Sequence, residues 1–167
     1  YAHQSGGAIS GSADAVITVA DSAMANNAAG ESGGSAYATA TSLTFDNVSV
    51  TESMAGLGGG GVALSGDTST GRFSNTDFVK CNASLHGGAL AAWSDVAELM
   101  IEGGSFSQCS VEQQGGALHV SGTGSLSVAN SSFEDCAVGY STEPICLTLT
   151  MIMTSGRGWD DAELFVF

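Results

Sequence analysis

Apolar residues fall at alternate positions in short runs, among them Leu43-x-Phe45, Leu99-x-Ile101 and Leu126-x-Val128, and Asn, Asp or Gly soon interrupts each run. A period of two cut short by turn residues predicts brief strands and tight bends, not helices. The pattern itself recurs. Val19-x-Asp21-x-x-Met24-x-x-Asn27 is followed by Phe45-x-Asn47-x-x-Val50-x-x-Ser53 and Phe73-x-Asn75-x-x-Phe78-x-x-Cys81. Two more copies follow, Ile101-x-Gly103-x-x-Phe106-x-x-Cys109 and Val128-x-Asn130-x-x-Phe133-x-x-Cys136, with the same internal offsets. Two residues before each copy stand Ile17, Leu43, Gly71, Leu99 and Leu126, and two after it Ala29, Ala55, Ala83, Val111 and Val138. Gly-Gly pairs at 6-7, 33-34, 60-61, 87-88 and 115-116 separate the copies at intervals of 27, 27, 27 and 28 residues.

One such unit is too short to enclose a core, but identical units stacked in parallel place like residues above one another at the strand spacing of about 4.8 Å. The expected fold is all-β: a parallel β-helix with three strands in each coil of about 27 residues, and about five coils starting near residues 6, 33, 60, 87 and 115. Five coils span roughly 24 Å along the axis. Apolar columns should line the inside. The column Asp21, Asn47, Asn75, Gly103 and Asn130 consists of residues that accept positive φ, which predicts a turn ladder.

The repeats are expected to occupy 1-143. After Pro144 the period is lost, and Ile145 to Met153 begins a new alternating strand, so 144-167 is read as the start of a truncated second β module. Both ends of a β-helix are open sheet edges, and neither terminus has the look of a cap, so the parent protein is expected to continue. The chain opens at Tyr1 without a basic or apolar leader, and no stretch reaches the roughly 18 apolar residues of a membrane-spanning helix. No direct membrane insertion is expected.

Charge narrows the partners. Three Lys and Arg against seventeen Asp and Glu leave a net charge of −14, which excludes the clustered cations that grip nucleic acid or anionic lipid. With 12% charged residues, 24 Gly and a single Pro, the composition fits a compact β protein better than a disordered chain or a helical bundle.

The paired signatures resemble the repeats of the polymorphic outer-membrane protein family, recognised by GGA[ILV] and FxxN motifs. The first stands here as Gly6-Gly7-Ala8-Ile9, Gly87-Gly88-Ala89-Leu90 and Gly115-Gly116-Ala117-Leu118; the second as Met24-x-x-Asn27, then with Cys in place of Asn at Cys81, Cys109 and Cys136. The resemblance covers residues 6 to 143 and implies a right-handed, pectin-lyase-like β-helix, displayed at a surface and engaged in adhesion. The tail, with Cys146-Leu147-Thr148-Leu149 and then Gly156-Arg157-Gly158-Trp159, resembles a GDGW-type extracellular module of protist and algal surface proteins, with Arg157 where that pattern has Asp.

Candidate chemistry is sparse. Cys81, Cys109 and Cys136 share one column and are read as a structural ladder of small buried thiols, with a disulfide between neighbours as the alternative. Cys146 is expected to pair within its own module. The sequons at Asn47, Asn82 and Asn130 are possible glycosylation sites, although Asn47 and Asn130 also belong to the turn ladder. A lyase-like site would need clustered Asp with a basic residue, yet Arg72 and Lys80, the basic residues of the repeats, occupy different columns. Asn75-Thr76-Asp77 matches a polygalacturonase motif by letter, without that family's other motifs. No catalytic residue is assigned. No metal site or cofactor is expected, because His3, His86 and His119 share no column and no calcium loop is present.

Parity with Ile9, Leu90 and Leu118 turns Tyr37, Trp93 and His119 outward on the strand after each Gly-Gly pair, and these are the candidate ligand-binding residues. The reading is a secreted or surface-displayed module, on the outer membrane if bacterial, that serves as adhesin or stalk. Its partner would be a host or neighbouring-cell surface protein or a neutral glycan. The alternatives are a polysaccharide lyase or glycoside hydrolase scaffold with its site in other coils, and a purely structural wall component.

Overall fold

A computed structural model describes residues 1–94, 96–122 and 124–139 in full and the backbone of 146–152 and 163–166. The chain is an all-β parallel solenoid of about five coils built from three sheets. A groove-bearing sheet stacks Ile9–Gly11, Ala36–Thr39, Val62–Ser65, Leu90–Trp93 and Leu118–Ser121. A narrow sheet stacks the two-residue strands Ala28–Ala29, Met54–Ala55, Asn82–Ala83, Ser110–Val111 and Ala137–Val138. The long sheet contains Val16–Ala25, Ser42–Thr51 and Ser125–Glu134, and between them the divided strands Thr70–Ser74 with Asp77–Val79 and Glu98–Glu102 with Ser105–Ser107.

The columns read from the repeat are the observed registers. Leu43, Gly71, Leu99 and Leu126 are in line, as are Phe45, Phe73, Ile101 and Val128. Val50, Phe78, Phe106 and Phe133 form a third line. The rings of Phe78, Phe106 and Phe133 stack nearly parallel, with centroids 5.0 and 4.7 Å apart. At Gly71 an added Cβ would collide with Leu64 Cδ1, so the neighbouring leucine fills the place of the missing side chain.

The turn ladder has the expected geometry. Asp21, Asn47, Asn75, Gly103 and Asn130 all have positive φ, between 47° and 67°. Asn47 Nδ2 donates to Asp21 Oδ1 at 2.7 Å, so the ladder is tied through side chains as well as backbone. A second left-handed column precedes the cysteines: Asn26, Glu52, Lys80, Gln108 and Asp135, with φ from 51° to 57°.

The third Gly-Gly turn differs from the sequence reading by one residue. The left-handed glycines are Gly6, Gly33, Gly59, Gly87 and Gly115, so the third coil starts at 59 and not 60. Gly61 instead joins the inward column of Ser35 and Ala89, bridging them through backbone bonds of 2.8 and 2.9 Å. The two glycines of each pair have different duties. The first supplies positive φ, while the second lets the next coil approach, since a Cβ at Gly88 would strike Gly116 O and sit 2.5 Å from Ser110 O. Gly88→Ala is therefore expected to lower the unfolding free energy by about 2 kcal/mol. Gly139→Ala, where the nearest atom to an added Cβ is 4.0 Å away and only the φ of 69° is strained, should cost about 1 kcal/mol. Urea midpoints compare the two, and an equal loss would mean that the coils part freely to admit a methyl group.

In the tail, the strand expected from Ile145 to Met153 is present as Cys146–Ile152. Backbone strands Cys146–Ile152 and Glu163–Val166 run antiparallel along Ser125–Glu134 and Leu118–Ser121, on the last edge of two sheets. Antiparallel strands so placed occupy the edge that another parallel coil would need. Pro144, Arg157 and Trp159 lie outside the described residues, as does the side chain of Cys146 with its expected pairing.

Candidate functional site

The outward side of the groove-bearing sheet is shaped by the bend that precedes it. Before each Gly-Gly turn the chain forms a ladder of single bridges, Ser32 to Gly58 to His86 to Gln114. The left-handed glycine then reverses the chain, so a Cβ on Gly87 would stand 3.1 Å from that of Ala91 and one on Gly115 would stand 3.1 Å from that of His119. Ladder and strand thus face each other across a re-entrant corner. Ala63 and Ala91, which point outward by parity, are fully covered at its floor.

Within this corner is a groove of about 410 Å³. Leu57 and Leu85 form part of its wall, held by backbone bonds of 2.8 Å from Leu85 N to Leu57 O and 3.0 Å from Gln114 N to Leu85 O. Trp93 and Ser121 contribute from the strand side. The indole leans over the ladder: a methyl at Gly58 would stand 3.0 Å from its Cζ3 and 3.3 Å from its Cη2. A Cβ there would oblige the ring to give way by a few tenths of an ångström.

Trp93 and His119, two of the three residues singled out by parity, come together in this groove. Tyr37 does not line it. Its ring is half-buried, and its hydroxyl shares a hydrogen bond of 3.0 Å with Ser65 Oγ. His119 departs from the expected exposure at 3%. Its ring meets that of His86 at 4.6 Å between centroids, tilted by 31°, and the backbone of Phe165 pairs beside it. The two histidines belong to different columns, as the sequence indicates, yet the corner brings the ladder of one coil against the strand of the next. Burial first, and then the nearby His86, pull the His119 imidazole down from 6.5 to about 4. His86 Nδ1 is buried and has no hydrogen-bond partner among the described residues. Residues His86, Gln114, Leu57 and Leu85 were not found from the sequence. Their shared place, just before the Gly-Gly turn, was the available signal.

The remaining candidates are structural in their surroundings. Cys81, Cys109 and Cys136 are buried free thiols in one column. Cys109 Sγ donates toward Phe78 O at 3.5 Å, and burial pushes this thiol well above its ordinary range. Asn27 and Ser53 continue the column on its other side: Asn27 Nδ2 donates to Ser35 Oγ at 3.1 Å, and the Ser35 and Ser53 hydroxyls bond at 2.8 Å. Asn47, Asn82 and Asn130 are exposed, and Asn82 Nδ2 donates to Ser110 Oγ at 2.8 Å. Among the described residues, no group of three His, Cys, Asp or Glu is placed to hold a metal ion. The basic side chains of the repeats are engaged by acids, Arg72 with Glu98 at 2.6 Å and Lys80 with Glu52 at 3.8 Å.

Comparison with known proteins adds no relative: no family model, curated protein or solved structure matches this chain.

Proposed function

We propose that this chain is a non-catalytic module of a secreted or surface-displayed protein, which holds a lateral face out as an adhesive surface on a β-solenoid stalk. The observation that carries the reading is the groove at Trp93, where a large aromatic side chain is set against a wall of regular backbone and is half-buried, not enclosed. An aromatic ring held in this way offers contact area with little conformational entropy left to lose on binding. The GGA[ILV] and FxxN-like repeats, through their resemblance to surface adhesins, support display outside the cell. A sparse basic complement, with Arg72 and Lys80 of the repeats engaged by acids, disfavours nucleic acid and acidic polymers as partners.

The test is retention of cells or cell-wall fragments on beads that carry the protein. Trp93→Ala is expected to reduce retention at least tenfold, and Tyr37→Ala, which lies outside the groove, to reduce it by less than twofold. Undiminished retention by the Trp93→Ala variant would remove this face from the adhesive role.

A further inference from the structure

We propose that the corner groove is a binding subsite for one uncharged, all-equatorial hexopyranose unit of a β-linked glucan, stacked on Trp93 and flanked by Leu57 and Leu85. The inference rests on the lateral-face reading and gives it a ligand class.

Three observations lead to it. The first is charge. The protein carries −14 overall, yet among the described residues no Asp, Glu, Lys or Arg lines the groove. An anionic sugar would approach against the net field and find no cation among the described residues at the end of its path, while a cationic ligand would find no carboxylate among them. The second is the arrangement of surfaces. The groove sets an indole and two leucines beside polar groups from His86, Gln114 and Ser121. A pyranose with equatorial hydroxyls has the matching form: apolar C–H faces above and below, and hydroxyls around the rim. A volume of about 410 Å³ lies within the range of small-molecule sites.

The third is His86 Nδ1. It is a buried nitrogen without a hydrogen-bond partner among the described residues, beside a groove that a polyhydroxylated ligand would fill. A buried polar atom left unpaired carries a desolvation cost of about 1–3 kcal/mol. A sugar hydroxyl can act as donor or acceptor, so it can satisfy this nitrogen in either tautomer once the His86 ring turns toward the groove, since the atom is closed to solvent as the ring now stands. Gly58 completes the site from behind, because a Cβ there would stand 3.0 Å from Trp93 Cζ3 and press on the ring.

Trp93 fluorescence provides the readout. The chain has two tryptophans, so Trp159→Phe leaves Trp93 as the sole indole. Cellohexaose should change its emission saturably, and hexagalacturonate of equal length should not. Leu57→Glu places a charge at a site 44% exposed, where folding is not at stake, and should weaken cellohexaose at least tenfold. His86→Ala should weaken it by about threefold or more, in line with one lost hydrogen bond. No saturable response to cellohexaose, tighter binding of the galacturonate, or unchanged affinity in Leu57→Glu would each overturn the proposal. Cell retention that still depends on Trp93 after such a failure would leave the adhesive reading standing and point to a protein ligand.

Discussion

Phe106→Ala should lower the unfolding free energy by about 4 kcal/mol, near the upper part of the range for a deleted core phenylalanine. Phe106 is fully buried between two parallel neighbours, Phe78 at 5.0 Å and Phe133 at 4.7 Å between centroids. Truncation removes the transfer energy of the ring and also two stacking contacts, each contributing about 1 kcal/mol. The surrounding coils are fixed by backbone hydrogen bonds on both sides, so the hole has little means of closing. Urea unfolding of the variant measures the loss. Phe106→Leu, which keeps most of the volume, should lose less than half as much. A drop below about 1.5 kcal/mol for the alanine variant would mean that the stack adapts, contrary to the packing expected of a tightly registered core.

Acidification should produce the second large effect. His119 is 3% exposed, and its folded imidazole takes a proton near pH 4 whereas an unfolded one does so near 6.5. Because the folded value is depressed, the unfolded chain binds the proton first as pH falls. Stability is therefore complete above about pH 6.5 and declines through the interval down to about 4, by a total of about 3 kcal/mol. The informative quantity is the difference from His119→Gln, which isolates the contribution of this imidazole. That variant should lose about 3 kcal/mol less than the wild type between pH 7 and pH 4. Parallel stability curves would show that the His119 ring is solvated at its edge. The same protonation would place a cation against His86, and a groove that binds sugar at neutral pH should release it in acid.

What could be read from the sequence follows from what repetition preserves. Columns were legible because each inward position recurs at constant offset, and parity carried this as far as Trp93. The turn ladder was legible because Asn and Asp are the residues that bend in the left-handed region. Its companion column was not, since Glu52, Lys80 and Gln108 are not turn residues and adopt positive φ only because the coil closes there. Gly59 was misplaced because the run Gly58 to Gly61 contains three overlapping pairs, and only the bonds of the neighbouring coils choose among them. The groove was least legible. His86 and His119 lie 33 residues apart and in different columns, and their contact depends on the angle between ladder and strand.

Repetition also creates an ambiguity that the chain must resolve while folding. Coils this alike could pair with the wrong neighbour, skipping one and looping it out, at small cost in apolar contact. The polar trio of Asn27, Ser35 and Ser53 works against that error. The Ser53 hydroxyl donates to Thr51 O at 3.2 Å, so it serves Ser35 as acceptor. If the coil bearing Ser53 docked one repeat out of place, the Ser35 hydroxyl would lose that acceptor, and a buried donor would go unmatched at about 1–3 kcal/mol. Three small side chains thus act as an address, marking which coils are meant to meet at one end of an otherwise nearly interchangeable stack.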